Sequence, residues 1–171
     1  CKGGVVKIRI LAISGVDLSV KNGQGIYGLK TMEALGNVFN SPDYELLVAA
    51  PEPIYDITNI SISYKFPKKI YRSVFWSVML QYHLLKCITL FRPNYVIASS
   101  KPNLFLLSVA KFFFRYQLIL FVEGNAKKNI SRILGPLKAS IALFSLESLI
   151  KSASKIFPAY EDAASWVLSV S

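Results

Sequence analysis

Short apolar runs rich in β-branched residues alternate along this chain with longer stretches of helical period, and this alternation constrains the fold most. Val5-Val6-Lys7-Ile8-Arg9-Ile10-Leu11-Ala12-Ile13 carries little helix signal and reads as a buried strand. After a loop from Ser14 to Gly25, apolar residues recur at 26, 29, 32, 35 and 38 or 39, which predicts a helix from Ile26 to Phe39. Tyr44 to Ala50 is the second strand, closed by Pro51 and Pro53, and Ile60 to Tyr64 alternates as a half-exposed strand does. Ser73 to Phe91 is a long helix that stops before Pro93. The second half repeats this order. Tyr95 to Ala98 is a strand, and Pro102 opens a helix through Phe114, as proline does at a first helical position. Leu118 to Val122 is a strand, and Ile133 to Lys151 a helix whose start Gly135-Pro136 delays. Lys155 to Pro158 is a last strand, and Glu161 to Val170 a last helix.

Strands that are apolar on both faces need cover on both. The expected fold is therefore α/β, a Rossmann-like three-layer sandwich with a mostly parallel sheet and helices on both faces. No linker or internal repeat divides the chain, and residues 1–171 fit a single domain. In such sheets ligands bind beyond the carboxyl ends of the strands, where backbone amides and helix N-termini converge. That rule selects Ser14 to Gly25, Ser99 to Lys101, Glu123 to Lys128, and Ala159 to Glu161.

Hydrophobic residues make up 53% of the chain, so a membrane span has to be considered. The best stretch, Leu104 to Val122, holds Lys111 and Arg115 near its middle, where one charge costs roughly 3 kcal/mol. No segment spans convincingly. The formal net charge is +10, unevenly distributed: between Asp56 and Glu147 there are 13 Lys or Arg and a single acid, Glu123. A basic middle attracts phosphates on nucleic acid, anionic lipid or nucleotide sugar, or it simply keeps the chain soluble. The high apolar content favours a membrane surface over nucleic acid. Phe112-Phe113-Phe114 lies in an apolar run, where core packing is the default expectation. The alternative is a lipid-facing surface made with Phe75, Trp76, Lys65, Lys68, Lys69, Arg72, Lys111 and Arg115. Two cysteines, Cys1 and Cys87, make no disulfide framework, and no Cys/His cluster suggests a metal; a reducing, cytoplasmic setting follows. The start, Cys1-Lys2-Gly3-Gly4, lacks a Met and a signal-peptide core and reads as a domain boundary.

Gly23-Gln24-Gly25-Ile26-Tyr27-Gly28 fits GxGxxG by letter. In a dinucleotide site those glycines directly follow the first strand, whereas here about nine residues intervene after Ile13, and the acid Glu52 sits late. A nicotinamide or flavin site is disfavoured. What survives is a glycine loop whose amides can approach a phosphate, or glycines that merely allow a tight entry into the helix. His83 is the only histidine and lies within the long helix, which removes Ser-His and Cys-His catalysis. Glu123 directly follows a strand, where a carboxylate can accept hydroxyl hydrogen bonds or a proton. It can equally pair with Lys127 or Lys128 as a structural carboxylate.

Taken in order, these segments resemble the N-terminal, acceptor-side domain of GT-B fold glycosyltransferases of family four. The opening Lys7 to Ile13 with Gly25-Ile26-Tyr27 is similar to that family's start. Arg92-Pro93-Asn94-Tyr95-Val96-Ile97-Ala98-Ser99-Ser100 resembles its proline-led strand. Leu120-Phe121-Val122-Glu123-Gly124-Asn125 and Ser154 to Glu161 look like its later strands and turns. The resemblance implies that Gly15, Gly23 and Gly25 lie near the donor's phosphates. It further implies acceptor binding by Ser100, Lys101, Glu123, Asn125, Lys127, Tyr160 and Glu161, with Glu123 the one catalytic candidate. A histidine common in the family's turn is replaced here by Glu123-Gly124. The family's second domain, which carries the nucleotide-sugar donor and paired glutamates, has no counterpart, and the sequence stops where the linker to it should begin. The expected partner is a C-terminal donor-binding domain or a partner chain. The isolated domain should be inactive and need no cofactor of its own. The setting would be cytoplasmic, peripheral at the inner face of the membrane. A second class of reading is a non-catalytic Rossmann-like module acting at a membrane surface or on nucleic acid.

Overall fold

The computed structural model describes residues 7–14, 23–51, 62–66, 74–122, 130 and 134–170. Six strands are described: β1 (Ile8–Ile13), β2 (Tyr44–Pro51), β3 (Ile62–Phe66), β4 (Tyr95–Ser99), β5 (Gln117–Val122) and β6 (Lys155–Pro158). They form one sheet in the order β3-β2-β1-β4-β5-β6, and every neighbouring pair is parallel. The chain steps outward from β1 through β2 to β3, returns across the sheet to β4, and steps outward again on the other side. Right-handed crossovers then place the connecting helices on opposite faces. Helix α1 (Gly23–Val38) sets Met32 and Leu35 against Ile10, Ala12, Leu46, Val48 and Ile97. On the other face lie α2 (Val74–Phe91), α3 (Leu106–Phe114), α4 (Pro136–Ser152) and α5 (Glu161–Val170). They cover Leu11, Ile13, Val96, Leu118 and Leu120. The expected α/β sandwich with a doubly covered parallel sheet is the observed one.

Several boundaries differ from the sequence expectation. Helix α1 begins at Gly23, so Gly23 and Gly25 belong to its first turn and not to the preceding loop. A first turn tolerates glycine because its N–H groups have no intrahelical partner to lose. Strand β3 runs on to Phe66, because the register Leu47↔Ile62 to Pro51↔Phe66 carries that ring into the core. The helix expected from Pro102 is divided into a 3₁₀ turn, Pro102–Leu104, and α3. Gly135 caps α4 and Pro136 starts it, which delays the helix as expected. The Phe112-Phe113-Phe114 run does not enter the core as a block. The inward positions of α3 are Leu107, Ala110 and Phe114, so Phe112 and Phe113 point outward, 83% and 72% exposed.

The amino-end edge of the sheet is held by side chains. Asn94 Oδ1 accepts the Arg9 N–H at 2.8 Å, and Asn94 N–H donates to the Arg9 carbonyl at 2.8 Å. Arg9 bonds Glu45 at 3.2 Å and donates to the last α2 carbonyl, Phe91 O, at 3.2 Å. Helices α2 and α3 both stop on an arginine in the left-handed region, Arg92 and Arg115, whose N–H groups donate to Ile88 O and Lys111 O at 2.8 Å. Buried Tyr116 donates its hydroxyl to Leu107 O at 2.6 Å, and burial pushes its phenol well above the usual range.

Candidate functional site

The described sheet has one topological switch point, between β1 and β4, where the chain departs to opposite sides; in sheets of this kind ligands bind outside the carboxyl ends at that point. On the β1 side the strand ends at Ile13, and buried Ser14 donates its N–H to Ala49 O at 2.9 Å. Helix α1 then begins at Gly23, on the carboxyl side of the sheet, where a helix start carries the positive end of its dipole. On the β4 side, Ser100 donates its N–H to Phe121 O at 2.8 Å, which holds the segment against β5. Lys101 follows with extended backbone (φ −122°, ψ 137°), and its carbonyl accepts the Leu104 N–H at 3.0 Å. Pro102 fixes the turn there, so Ser100 and Lys101 are held at the carboxyl edge, both half-buried.

On the β6 side, Ala159 donates its N–H to Val122 O at 2.9 Å. Exposed Tyr160 and Glu161 follow at the start of α5. The Tyr160 carbonyl accepts the Ala164 N–H at 3.0 Å, and the Glu161 carbonyl accepts the Ser165 hydroxyl at 2.9 Å. Glu161 and Asp162 lie in the first turn of α5, where carboxylates complement the helix dipole. One strand, β5, separates the β4 end from the β6 end, so Lys101 and Tyr160 follow strands about 10 Å apart.

Of the residues selected from sequence, Gly23, Gly25, Ser100, Lys101, Tyr160 and Glu161 therefore share the carboxyl edge. Gly15, Glu123, Asn125 and Lys127 lie outside the described residues. Sequence reasoning gave no separate weight to Ser99, whose Oγ is buried with no hydrogen-bond partner among the described residues. Its signal was its position as the last residue of a strand at the switch point. His83 is a packed helix residue, as expected. Its Nδ1 lies 2.8 Å from the Tyr64 hydroxyl, and Tyr64, Phe66 and Tyr82 surround the ring. Burial, with Lys86 adding to it, holds the imidazole pKa below its ordinary value. Among the described residues no group of His, Cys, Asp and Glu could hold a metal ion, and no helix is long and apolar enough to cross a membrane.

No protein-family model matches the chain, and no curated protein matches it in sequence. Solved structures do. A Rickettsia bellii UDP-N-acetylglucosamine 2-epimerase superposes with a TM-score of 0.64 at 9% identity, over 95% of this chain and 42% of that one. A Listeria monocytogenes protein provisionally named as the same enzyme gives a TM-score of 0.59 at 14% identity, over 95% of this chain and 41% of that one. The chain thus spans less than half the length of these structures. Identities this low speak to the fold alone. The fold is that of a GT-B-like Rossmann domain.

Proposed function

We propose that this chain is the acceptor-side domain of a sugar-nucleotide enzyme of GT-B architecture, and specifically of a glycosyltransferase acting on a glycan or lipid-linked acceptor. The observation that carries the reading is the likeness of nearly the whole chain to less than half of two proteins named as UDP-N-acetylglucosamine 2-epimerases. The topology supports it, because a glycine-led helix start follows β1 and Ser100-Lys101 follows β4, at the edge where such sheets bind ligands. The family-four resemblance of the Arg92 to Ser100 segment favours transfer over epimerisation. In this proposal the first-turn amides at Gly23 and Gly25 approach the donor phosphates, together with Gly15. Lys101 and Ser100 orient the acceptor with Glu123, Asn125, Lys127, Tyr160 and Glu161, and Glu123 is the candidate proton acceptor. The nucleotide sugar itself sits on a C-terminal donor-binding domain or a partner chain.

The names of the structural neighbours favour a second reading, in which the completed enzyme inverts C2 of UDP-N-acetylglucosamine. One experiment separates the two. The isolated chain and the chain joined to its donor-binding partner are each incubated with UDP-N-acetylglucosamine and other nucleotide sugars, with and without lipid-linked and soluble sugar acceptors. Transfer by the completed enzyme only when acceptor is present supports the first reading. Appearance of the C2 epimer without acceptor supports the second. The isolated chain should do neither, and turnover by it above a mock preparation would overturn the two-part proposal.

A further inference from the structure

Helices α2, α3 and α4 lie side by side on one face of the sheet, fastened by contacts that fix their relative heights. Gln81 Nε2 donates to Asn103 O at 2.6 Å, just ahead of α3. Ser108 meets Ser148 at 3.3 Å, and Lys111 Nζ donates to Ser152 O at 2.6 Å. A helix covering a sheet ordinarily turns a polar face to solvent. These three turn apolar ones. The outward stripe of α2 is Val78, Tyr82 and Leu85, with spacing i, i+4, i+7, and that of α4 is Leu137, Ile141 and Phe144 at the same spacing. Between them α3 shows Val109, Phe112 and Phe113. Phe144 is 75% exposed, comparable to the two phenylalanines of α3. Exposed apolar surface continued over three adjacent helices marks an interaction site.

Charge identifies the partner. Residues 74–122 contain no Asp or Glu; apart from Lys101 at the carboxyl edge, they carry Lys86, Arg92, Lys111 and Arg115. Helix α4 adds Lys138 and Lys151 against one acid, Glu147. Arg92 and Arg115 line a single depression at the amino edge of the sheet together with Asn94, Tyr95 and Phe113, so two arginines border the same hollow as one of the exposed rings. Convex helices bearing aromatic and aliphatic side chains, rimmed by bases, are suited to the boundary between headgroups and acyl chains. We propose that the outer face of α2, α3 and α4 rests on an anionic membrane surface, with Phe112 and Phe113 inserted and Arg92 and Arg115 on lipid phosphates. This surface is the outer face of the helices and not the carboxyl edge, and the inference stands independently of the sugar-nucleotide reading.

Flotation of the full chain tests it, using vesicles of phosphatidylcholine alone and of equal phosphatidylcholine and phosphatidylglycerol. The chain should float with the anionic vesicles at 50 mM salt and be released by about 0.5 M salt. The Phe112→Ser/Phe113→Ser pair should weaken binding by about ten-fold or more. Lys86→Gln and Lys151→Gln, at exposed positions, should each weaken it by about five-fold. Circular dichroism checks the fold of the phenylalanine variant, and the lysine variants test the proposal should that pair fail to fold. Equal flotation with neutral vesicles, no flotation with anionic ones, or unchanged binding by the folded variants would overturn it. Sedimentation velocity without lipid covers the other occupant: a dimer abolished by the phenylalanine pair would assign this face to a second copy of the chain and overturn the proposal.

Discussion

Arg92 and Arg115 occupy the same backbone position at the ends of neighbouring helices, each in the left-handed region with φ of 47° and 54°. A residue with a Cβ pays roughly 1–2 kcal/mol to sit there, and glycine is the usual occupant. Glycine also frees the unfolded chain, which takes back about 0.4–1 kcal/mol. Arg115→Gly should therefore raise stability by about 0.5–1 kcal/mol in urea unfolding, and Arg115→Ala should not. An Arg115→Gly midpoint at or below wild type would show that the guanidinium contributes more than the strain costs. The same change should weaken binding to anionic vesicles, so stability and docking would move in opposite directions.

Tyr116→Phe isolates one buried hydrogen bond. The ring is buried beneath α3, and its hydroxyl reaches Leu107 O at 2.6 Å. Losing that bond should cost about 1 kcal/mol of unfolding free energy. Vesicle binding should not change. A neutral effect would mean that the Leu107 carbonyl is satisfied by its helix alone.

His83 makes stability depend on pH in a definite direction. Its folded-state pKa lies below the ordinary 6.5, through burial first and Lys86 second. The unfolded chain therefore binds this proton at a higher pH than the folded chain does. The contribution is complete above about pH 6.5 and is lost as pH falls through the folded value. In urea titrations between pH 7.5 and 5.5, His83→Gln should flatten the decline. An equal slope in both proteins would assign the pH response to other groups.

Cys87 is buried against the sheet, and burial pushes its thiol from 9.0 up to about 12. Thiol reagents attack the thiolate, so the native protein should react slowly. With Cys1 replaced by Ser, a disulfide reagent at pH 8 should modify Cys87 at least about 100-fold more slowly than a free thiol. Urea should release the reactivity in step with unfolding. Rapid reaction of the folded protein would show that α2 opens locally.

Most elements were legible because β1, β2, β4 and β5 are near-continuous apolar runs and most of the helices carry a period of their own. Tyr44, Tyr95 and Lys155 start strands where the pattern placed them, and Glu161 to Val170 is the last helix in both descriptions. Strand β3 was legible as a strand but not in its limits. An edge strand with alternating residues carries no local mark of where pairing to β2 ends. The outward turn of Phe112 and Phe113 was open to either reading, because the only polar residues of α3, Ser108 and Lys111, turn to α4 and leave no polar solvent face for periodicity to single out. For the candidate site, the rule of carboxyl ends placed Ser100, Lys101, Tyr160 and Glu161 at one edge of the sheet without any contact information. The first-turn placement of Gly23 and Gly25 depends on how the helix is entered, which composition does not encode.

The strand order also sets a timetable for synthesis. Strand β1 can pair with β2 once residue 51 has emerged, but its other edge waits for β4, through Ile10↔Tyr95 to Ile13↔Ala98. At about 5–20 residues per second, the intervening stretch of nearly fifty residues takes roughly 2–10 s to emerge from the ribosome. For that interval Ile10, Leu11, Ala12 and Ile13, almost wholly buried in the finished protein, border an open edge of backbone donors and acceptors. A nascent chain arrested before Ala98 should thus be bound by chaperones, and one arrested beyond Val122 should be released from them.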